Sequence, residues 1–166
     1  MQKNIYYIIM YYFDIILLNN CNYSENAHKL LQDYKIKHNT LISTVRAGNV
    51  IGGGDWSADR LIPDIMRAVS NKEITKIRNP KSIRPWQHVL DCLNGYLVVI
   101  DAILDGKGVG AWNFGPLDTQ VRTVADVCEL ACNAWGVKEV WTMEITEFHP
   151  EASLLLLDSN KARTEL

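Results

Sequence analysis

The sequence predicts an α/β fold, and three observations predict it. Short β-branched runs alternate with stretches whose apolar residues recur every three or four positions. A glycine-rich loop follows one of those runs directly, at the kind of place where open α/β sheets bind ligands. Two of the helical stretches stop at a glycine, Gly106 and Gly136, as helices often do.

Taken in order, Asn4 to Leu18 is an apolar run of about 15 residues interrupted by Asp14. That is short of the ~20 residues needed to cross a bilayer, so a buried strand or a gene-boundary oddity is expected there. Ser24 is a good N-cap for a helix running through Ala27, Leu30, Leu31 and Tyr34. Leu41 to Val45 is β-type and leads into a glycine-rich loop over residues 46–56. Leu61, Ile62, Ile65, Met66 and Val69 share one helical face, and Ile74 to Ile77 reads as a short strand. Leu90, Leu93, Leu97, Ile100 and Leu104 give the clearest helical stripe. Ala111 to Phe114 is a strand closed by Gly115-Pro116. Thr123 caps a helix carrying Val124, Val127, Leu130, Ala131 and Ala134. Val140 to Met143 and Leu154 to Leu157 are strand candidates, and Asp158 or Ser159 caps a last helix reaching Leu166. Elements cut at both ends suggest part of a larger fold.

Composition narrows the partners. A net charge of −2 gives no basic footprint for nucleic acid and no polybasic patch for a membrane surface. Cys21, Cys92, Cys128 and Cys132 form no CxxC pair and no Cys/His zinc pattern. Cys128 and Cys132, one helical turn apart, fit core filling, so reduced structural thiols in a cytoplasmic setting are expected. His28, His38 and His88 have no metal-ligand spacing, and the absence of a Gly-x-Ser-x-Gly elbow leaves a hydrolase triad without an anchor.

Three places could carry chemistry. Gly48, Gly52, Gly53 and Gly54 allow backbone N–H groups to approach a ligand, and Asn49 among them can donate to a phosphate oxygen. A tight surface turn would have the same glycines. Arg78 and Arg84 stand in a cationic stretch around Trp86. Arg84 offers a planar donor fork for a diphosphate, and Arg78 could stack on or bond to a base. A solvated basic loop with Trp86 packed on the core is the plain alternative. Glu151, just before the 154–157 run, could accept both hydroxyls of a ribose, or could be an ordinary surface carboxylate.

Five runs in one order then point to a family. Val45 to Trp56, Arg60 to Ile65, Ile77 to Pro80, Ile83 to Val89 and Trp112 to Pro116 resemble the CDP-sugar dehydratases of the extended short-chain dehydrogenase/reductase (NAD-dependent epimerase/dehydratase) family. The likeness covers about residues 41–166. It implies an incomplete Rossmann-type fold, mainly the C-terminal sugar-nucleotide-binding part. Residues 1–20 would be an atypical apolar segment, and 21–166 a partial Rossmann edge plus the sugar-nucleotide-binding domain.

The resemblance also implies roles. Asn49 and Arg84 would hold the diphosphate, Arg60 and Leu61 would lie near the pyrimidine, Ile77 and Arg78 would wall the base pocket, and Glu151 would hold the ribose. Asp91 would be structural. The implied activity is a lyase reaction, CDP-glucose to CDP-4-keto-6-deoxyglucose and water, with NAD held mainly by a part of the fold outside this chain. A homodimer is expected of the full-length protein.

The sequence departs from the family at the catalytic positions. It has no Gly-x-x-Gly-x-x-Gly loop, and no tyrosine stands four residues before a lysine; Tyr23 is followed by Ala27 at that spacing. Pro150 stands where the family usually has His before Glu-Ala. The expectation is therefore a substrate-binding chain inactive alone. The alternatives are an epimerase of the same superfamily or a non-catalytic sugar-nucleotide-binding remnant. Asn49, Arg84 and Glu151 are expected to converge on one nucleoside diphosphate.

Overall fold

The computed structural model describes residues 6–11, 33, 41–138, 141–144 and 152–166. The helix expected from Ser24 and the bulk of the apolar start lie outside those residues, apart from β1, Tyr6–Tyr11. The 41–47 run forms β2, Leu41–Ala47, and the expected Ala111–Phe114 strand forms β7, Gly110–Phe114. These three strands make one parallel sheet in the order β1-β2-β7. The register sets Tyr6 beside Leu41 and Val45 beside Trp112. Parallel strands need long crossovers, which is why α2, Val89–Leu104, lies between β2 and β7 in the chain.

The remaining elements are small and pair two by two. The loop expected over 46–56 contains a strand, β3, Asn49–Ile51. It escapes a reading by periodicity because it is only three residues long and is made by pairing with β6, Trp86–His88. Next come α1, Leu61–Asn71, and β4, Thr75–Ile77, which pairs with β9, Trp141–Met143. β5, Ile83–Arg84, runs antiparallel to β8, Arg122–Thr123, and α3, Val124–Trp135, follows directly. The strand expected over Leu154–Leu157 reduces to a single bridge from Leu154 to Ile83. The chain ends with α4, Asn160–Glu165.

Two apolar clusters hold these parts. One joins the sheet to α2 and α4 through Val45, Val99, Ile103, Trp112 and Ala162. Val99 is fully buried and Ile103 nearly so, each contributing about 1.5–3 kcal/mol of transfer free energy. The other joins α1, α3, β4 and β9 through Ile65, Val69, Ile77 and Cys128. Burial, with the neighbouring Cys132 thiol adding, pushes the Cys128 thiol up to about 12, so it stays protonated.

The helix expected from its leucine stripe exists, but the stripe points the other way. Leu90 and Leu97 are 65% and 64% exposed, while Cys92, Gly95, Val99 and Ile103 face the sheet. The reason is close approach. Gly95 lies against the Phe114 ring, where a Cβ would clash, so the narrow side of the helix seats on the sheet and the wide leucines face away. Leu130 of α3 is likewise outside, and Val127, Cys128 and Cys132 are buried.

Capping follows the sequence more closely. Thr123 accepts from the Asp126 backbone N–H at 3.1 Å, and the Asp126 carboxylate accepts from the Thr123 N–H at 2.8 Å, a reciprocal capping box. At α4 the Asp158 carboxylate accepts from the Asn160 N–H at 2.9 Å, whereas the Ser159 side chain makes no cap bond.

Replacing Thr123 with Ala is expected to cost about 1 kcal/mol, measured by chemical denaturation. The capping hydrogen bonds hold the Asp126 carboxyl below its ordinary 3.8. The unfolded state therefore takes up its proton first as pH falls. The Asp126 contribution is complete above the unfolded value and is lost as pH drops through the lowered folded value. Thr123→Ala should reduce that acid-side loss; an unchanged acid profile would contradict the box.

Candidate functional site

The site begins where β2 hands over to β3. The Gly48 N–H donates to the Phe114 carbonyl at 3.3 Å and the Asn49 N–H donates to the Pro85 carbonyl at 2.9 Å. A Cβ on Gly48 would run into the Pro85 carbonyl oxygen and ring, so only glycine lets the two segments cross here. The Gln87 Nε2 donates to the same Phe114 carbonyl at 3.0 Å and ties β6 to the carboxyl end of β7. Asn49 is thereby fixed one residue from Arg84-Pro85.

Arg84 is 2% exposed. Its Nη1 donates to the Ile83 carbonyl at 2.9 Å. On the far side of β5 the Ile83 N–H donates to the Ser153 carbonyl at 2.9 Å, and the Leu155 N–H donates to the Ile83 carbonyl at 3.1 Å. The 152–155 segment therefore runs beside Arg84. Glu151 itself lies outside the described residues.

The glycine loop is held by a device that the sequence reading missed. The Arg67 guanidinium donates to the Trp56 carbonyl at 2.8 Å and to the Ser57 carbonyl at 3.1 Å, and it pairs with the Asp64 carboxylate. The Asp55 carboxylate accepts from the Ser57 N–H at 3.0 Å. That bond holds the Asp55 carboxyl below its usual range, with Arg60 and Arg67 adding attraction. The Asp64-x-x-Arg67 spacing was a readable helix pair; its use as a loop clamp was not.

Arg60 takes the N-cap position of α1 in an extended conformation, and its carbonyl accepts from the Asp64 N–H at 2.9 Å. Leu61 packs against the cluster in which Ile77 is buried, so these two expected base-pocket residues share one apolar wall. Arg78 follows Ile77 and is exposed. The structure thus sets Asn49 beside Pro85, the residue after Arg84, and packs Leu61 against the cluster that includes Ile77. A cleft of about 670 Å³ between α2 and α4 is lined by Trp86, His88, Asp91, Phe114 and Arg163 among others, and by none of the expected nucleotide-site residues that are described. It adjoins the junction through Trp86, which pairs with Asn49, and through Phe114, whose carbonyl accepts from the Gly48 N–H. Among the described residues no group of three or more His, Cys, Asp or Glu could hold a metal ion, and no helix is long and apolar enough to cross a membrane.

A parallel sheet flanked by helices, with a glycine-rich loop beyond a strand end, is a Rossmann-like α/β layout. Residues 26–115 match the family described as "NAD dependent epimerase/dehydratase family", and the chain belongs to that family. It is 47% identical over 133 residues to a CDP-glucose 4,6-dehydratase of Salmonella typhimurium, covering 78% of this chain and 37% of the relative.

Solved structures share the fold at low identity. A UDP-glucuronic acid 4-epimerase of Bacillus cereus, in complex with UDP-glucuronic acid and NAD, superposes with a TM-score of 0.72 at 16% identity, over 86% of this chain and 44% of that one. A dTDP-glucose 4,6-dehydratase of Bacillus anthracis, in complex with NAD, gives 0.64 at 18% identity, over 88% and 46%. A UDP-N-acetylglucosamine 4-epimerase of Methanobrevibacter ruminantium gives 0.75 at 14% identity, over 95% and 55%. The chain therefore spans well under two thirds of each relative's length.

Among the described residues no G-x-G-x-x-G or G-x-G-x-x-A turn leads from a strand into a helix. Gly106-Lys107-Gly108-Val109-Gly110-Ala111 has a G-x-G-x-x-A spacing, but it runs from the end of α2 into β7. A pyrophosphate cradle needs the opposite order, strand then turn then helix, so that helix N–H groups face the phosphates. Gly48 and Gly52 are packed against Pro85 and Val89 of the chain itself, whereas Gly53 and Gly54 face open space.

Gly48→Ala is expected to destabilise the chain by about 1–3 kcal/mol, the usual cost of forcing atoms into a packed site. Thermal denaturation should show a Tm lower by roughly 2–12 °C. An unchanged Tm would mean that the crossing at Pro85 has room for a side chain.

Proposed function

We propose that this chain is the sugar-nucleotide-binding part of a CDP-glucose 4,6-dehydratase, an NAD-dependent lyase. In this reading Asn49 and Arg84 hold the diphosphate of CDP-glucose. Arg60, Leu61, Ile77 and Arg78 surround the base, and Glu151 holds the ribose. The observation that supports the reading is the Asn49–Pro85 backbone bond, which sets Asn49 beside the residue that follows Arg84, across a crossing that only glycine permits. The 47% identity to the Salmonella dehydratase favours dehydration of a CDP-sugar over epimerisation, since the solved epimerases share only the fold.

The chemistry follows from the residue types. A diphosphate spreads its charge over several oxygens, and a guanidinium fork meets two of them with parallel charge-assisted bonds. A buried guanidinium makes those bonds in a medium of lower dielectric than water, so they are stronger there. A neutral amide such as Asn49 adds donors without further charge. The chain has no tyrosine four residues ahead of a lysine, and the reading gives it no group to take the sugar-hydroxyl proton. Binding and orientation of substrate are the role assigned to it; NAD is assigned to residues outside those described.

Isothermal titration of the 166-residue chain with CDP tests this. The chain should bind CDP, and Arg84→Met should weaken binding by roughly 10- to 150-fold, the worth of a hydrogen bond to a charged group. Asn49→Asp, which sets a carboxylate against the phosphates, should weaken it as well. With NAD and CDP-glucose added, no 4-keto product should appear by its alkaline absorbance. CDP affinity untouched by both substitutions, or turnover by the chain alone, would contradict the reading.

A further inference from the structure

We propose that Trp56 is the platform on which the pyrimidine base of the nucleotide stacks. The inference rests on the reading that this chain binds a pyrimidine nucleoside diphosphate, and it adds a residue to which that reading gives no role. Trp56 is 70% exposed, the most exposed large apolar side chain among the described residues. An indole in water is costly, and a rigidly presented one marks a surface that meets a partner.

The presentation here is rigid for a stated reason. Gly52, Gly53 and Gly54 would leave the following residues free to move, yet the Trp56 and Ser57 carbonyls are both held by the Arg67 guanidinium. Asp64 orients that guanidinium from the same helix, and Asp55 fixes the Ser57 N–H. The Arg67 clamp grips the main-chain carbonyls of Trp56 itself and of the next residue, and the indole stays exposed.

Position selects the ligand. The loop leaves the carboxyl end of β3, whose first residue is Asn49, and ends at Arg60 on the N-cap of α1. Trp56 therefore stands in the chain between the residue assigned to the diphosphate and those assigned to the base. A nucleobase offers the flat π-face that an indole matches, and such stacking tolerates any base. The hydrogen-bonding groups at Arg60 and Arg78 would then choose among bases.

The test uses the full chain as wild type, Trp56→Ala and Trp56→Phe, titrated with CDP and, separately, with inorganic pyrophosphate. Trp56→Ala should weaken CDP about tenfold, the size of one base–aromatic stack, and leave pyrophosphate affinity unchanged. Trp56→Phe should retain CDP affinity within about threefold, since a phenyl ring also stacks. CDP should quench the wild-type tryptophan fluorescence, and Trp56→Phe should remove most of that quenching. Wild-type CDP affinity in Trp56→Ala would overturn the inference while leaving the proposed function standing. Equal loss for CDP and pyrophosphate would also overturn it, by making Trp56 a support of the loop. Failure of the wild type to bind either ligand would remove the functional reading and this inference with it.

Discussion

The crossing of Gly48 over Pro85 is the contact on which the rest of the structure depends. It lets β2 end inside the main sheet and β3 begin immediately against β6. Without it, the Asn49 N–H would not reach the Pro85 carbonyl at 2.9 Å, and the segment holding Arg84 would not lie next to the loop. One missing side chain thus couples the main sheet to the β3–β6 strand pair. The bond between Gln87 and the Phe114 carbonyl closes the same junction from the β7 side.

Around that junction the small elements have little intrinsic stability. β3, β4, β5, β6, β8 and β9 are two or three residues long, too short to persist without packing. They are held by the cluster centred on Ile65, Val69, Ile77 and Cys128, and by main-chain bonds such as Ile83 to Ser153. The candidate site residues therefore sit on short strands and helix starts kept in place by the buried faces of two amphipathic helices, α1 and α3. The Arg67 clamp serves the same end for the glycine loop, exchanging the freedom of three glycines for a fixed path.

The sequence made the long periodic elements legible. The 61–69 stripe, the 90–104 helix and the Thr123 cap all appear in the structure close to their expected bounds. The facing of α2 was not legible. Periodicity reports an apolar side, and α2 has apolar residues on two sides; the sheet selected the one with Gly95 because it allows the closer approach to Phe114. β3 was hidden because its strand character comes from a partner some 37 residues away, Asn49 opposite Trp86, and not from its own three residues. For the site, the ordered motifs nominate Asn49, Arg60, Leu61, Ile77, Arg78 and Arg84. The structure adds that the Asn49 N–H bonds to the Pro85 carbonyl, next to Arg84, and that Leu61 packs against the cluster that includes Ile77. The loop clamp by Arg67 was out of reach because a side chain bonding to main-chain carbonyls ten and eleven residues back leaves no composition signal.

The most direct measurement is a ¹H–¹⁵N correlation spectrum of the chain with CDP added in steps. The account predicts that the Asn49 side-chain amide and the Arg84 Nε–H shift together, saturating at one common CDP concentration. Shifts confined to the α2–α4 cleft around His88 and Arg163, with Asn49 and Arg84 unmoved at saturation, would contradict it.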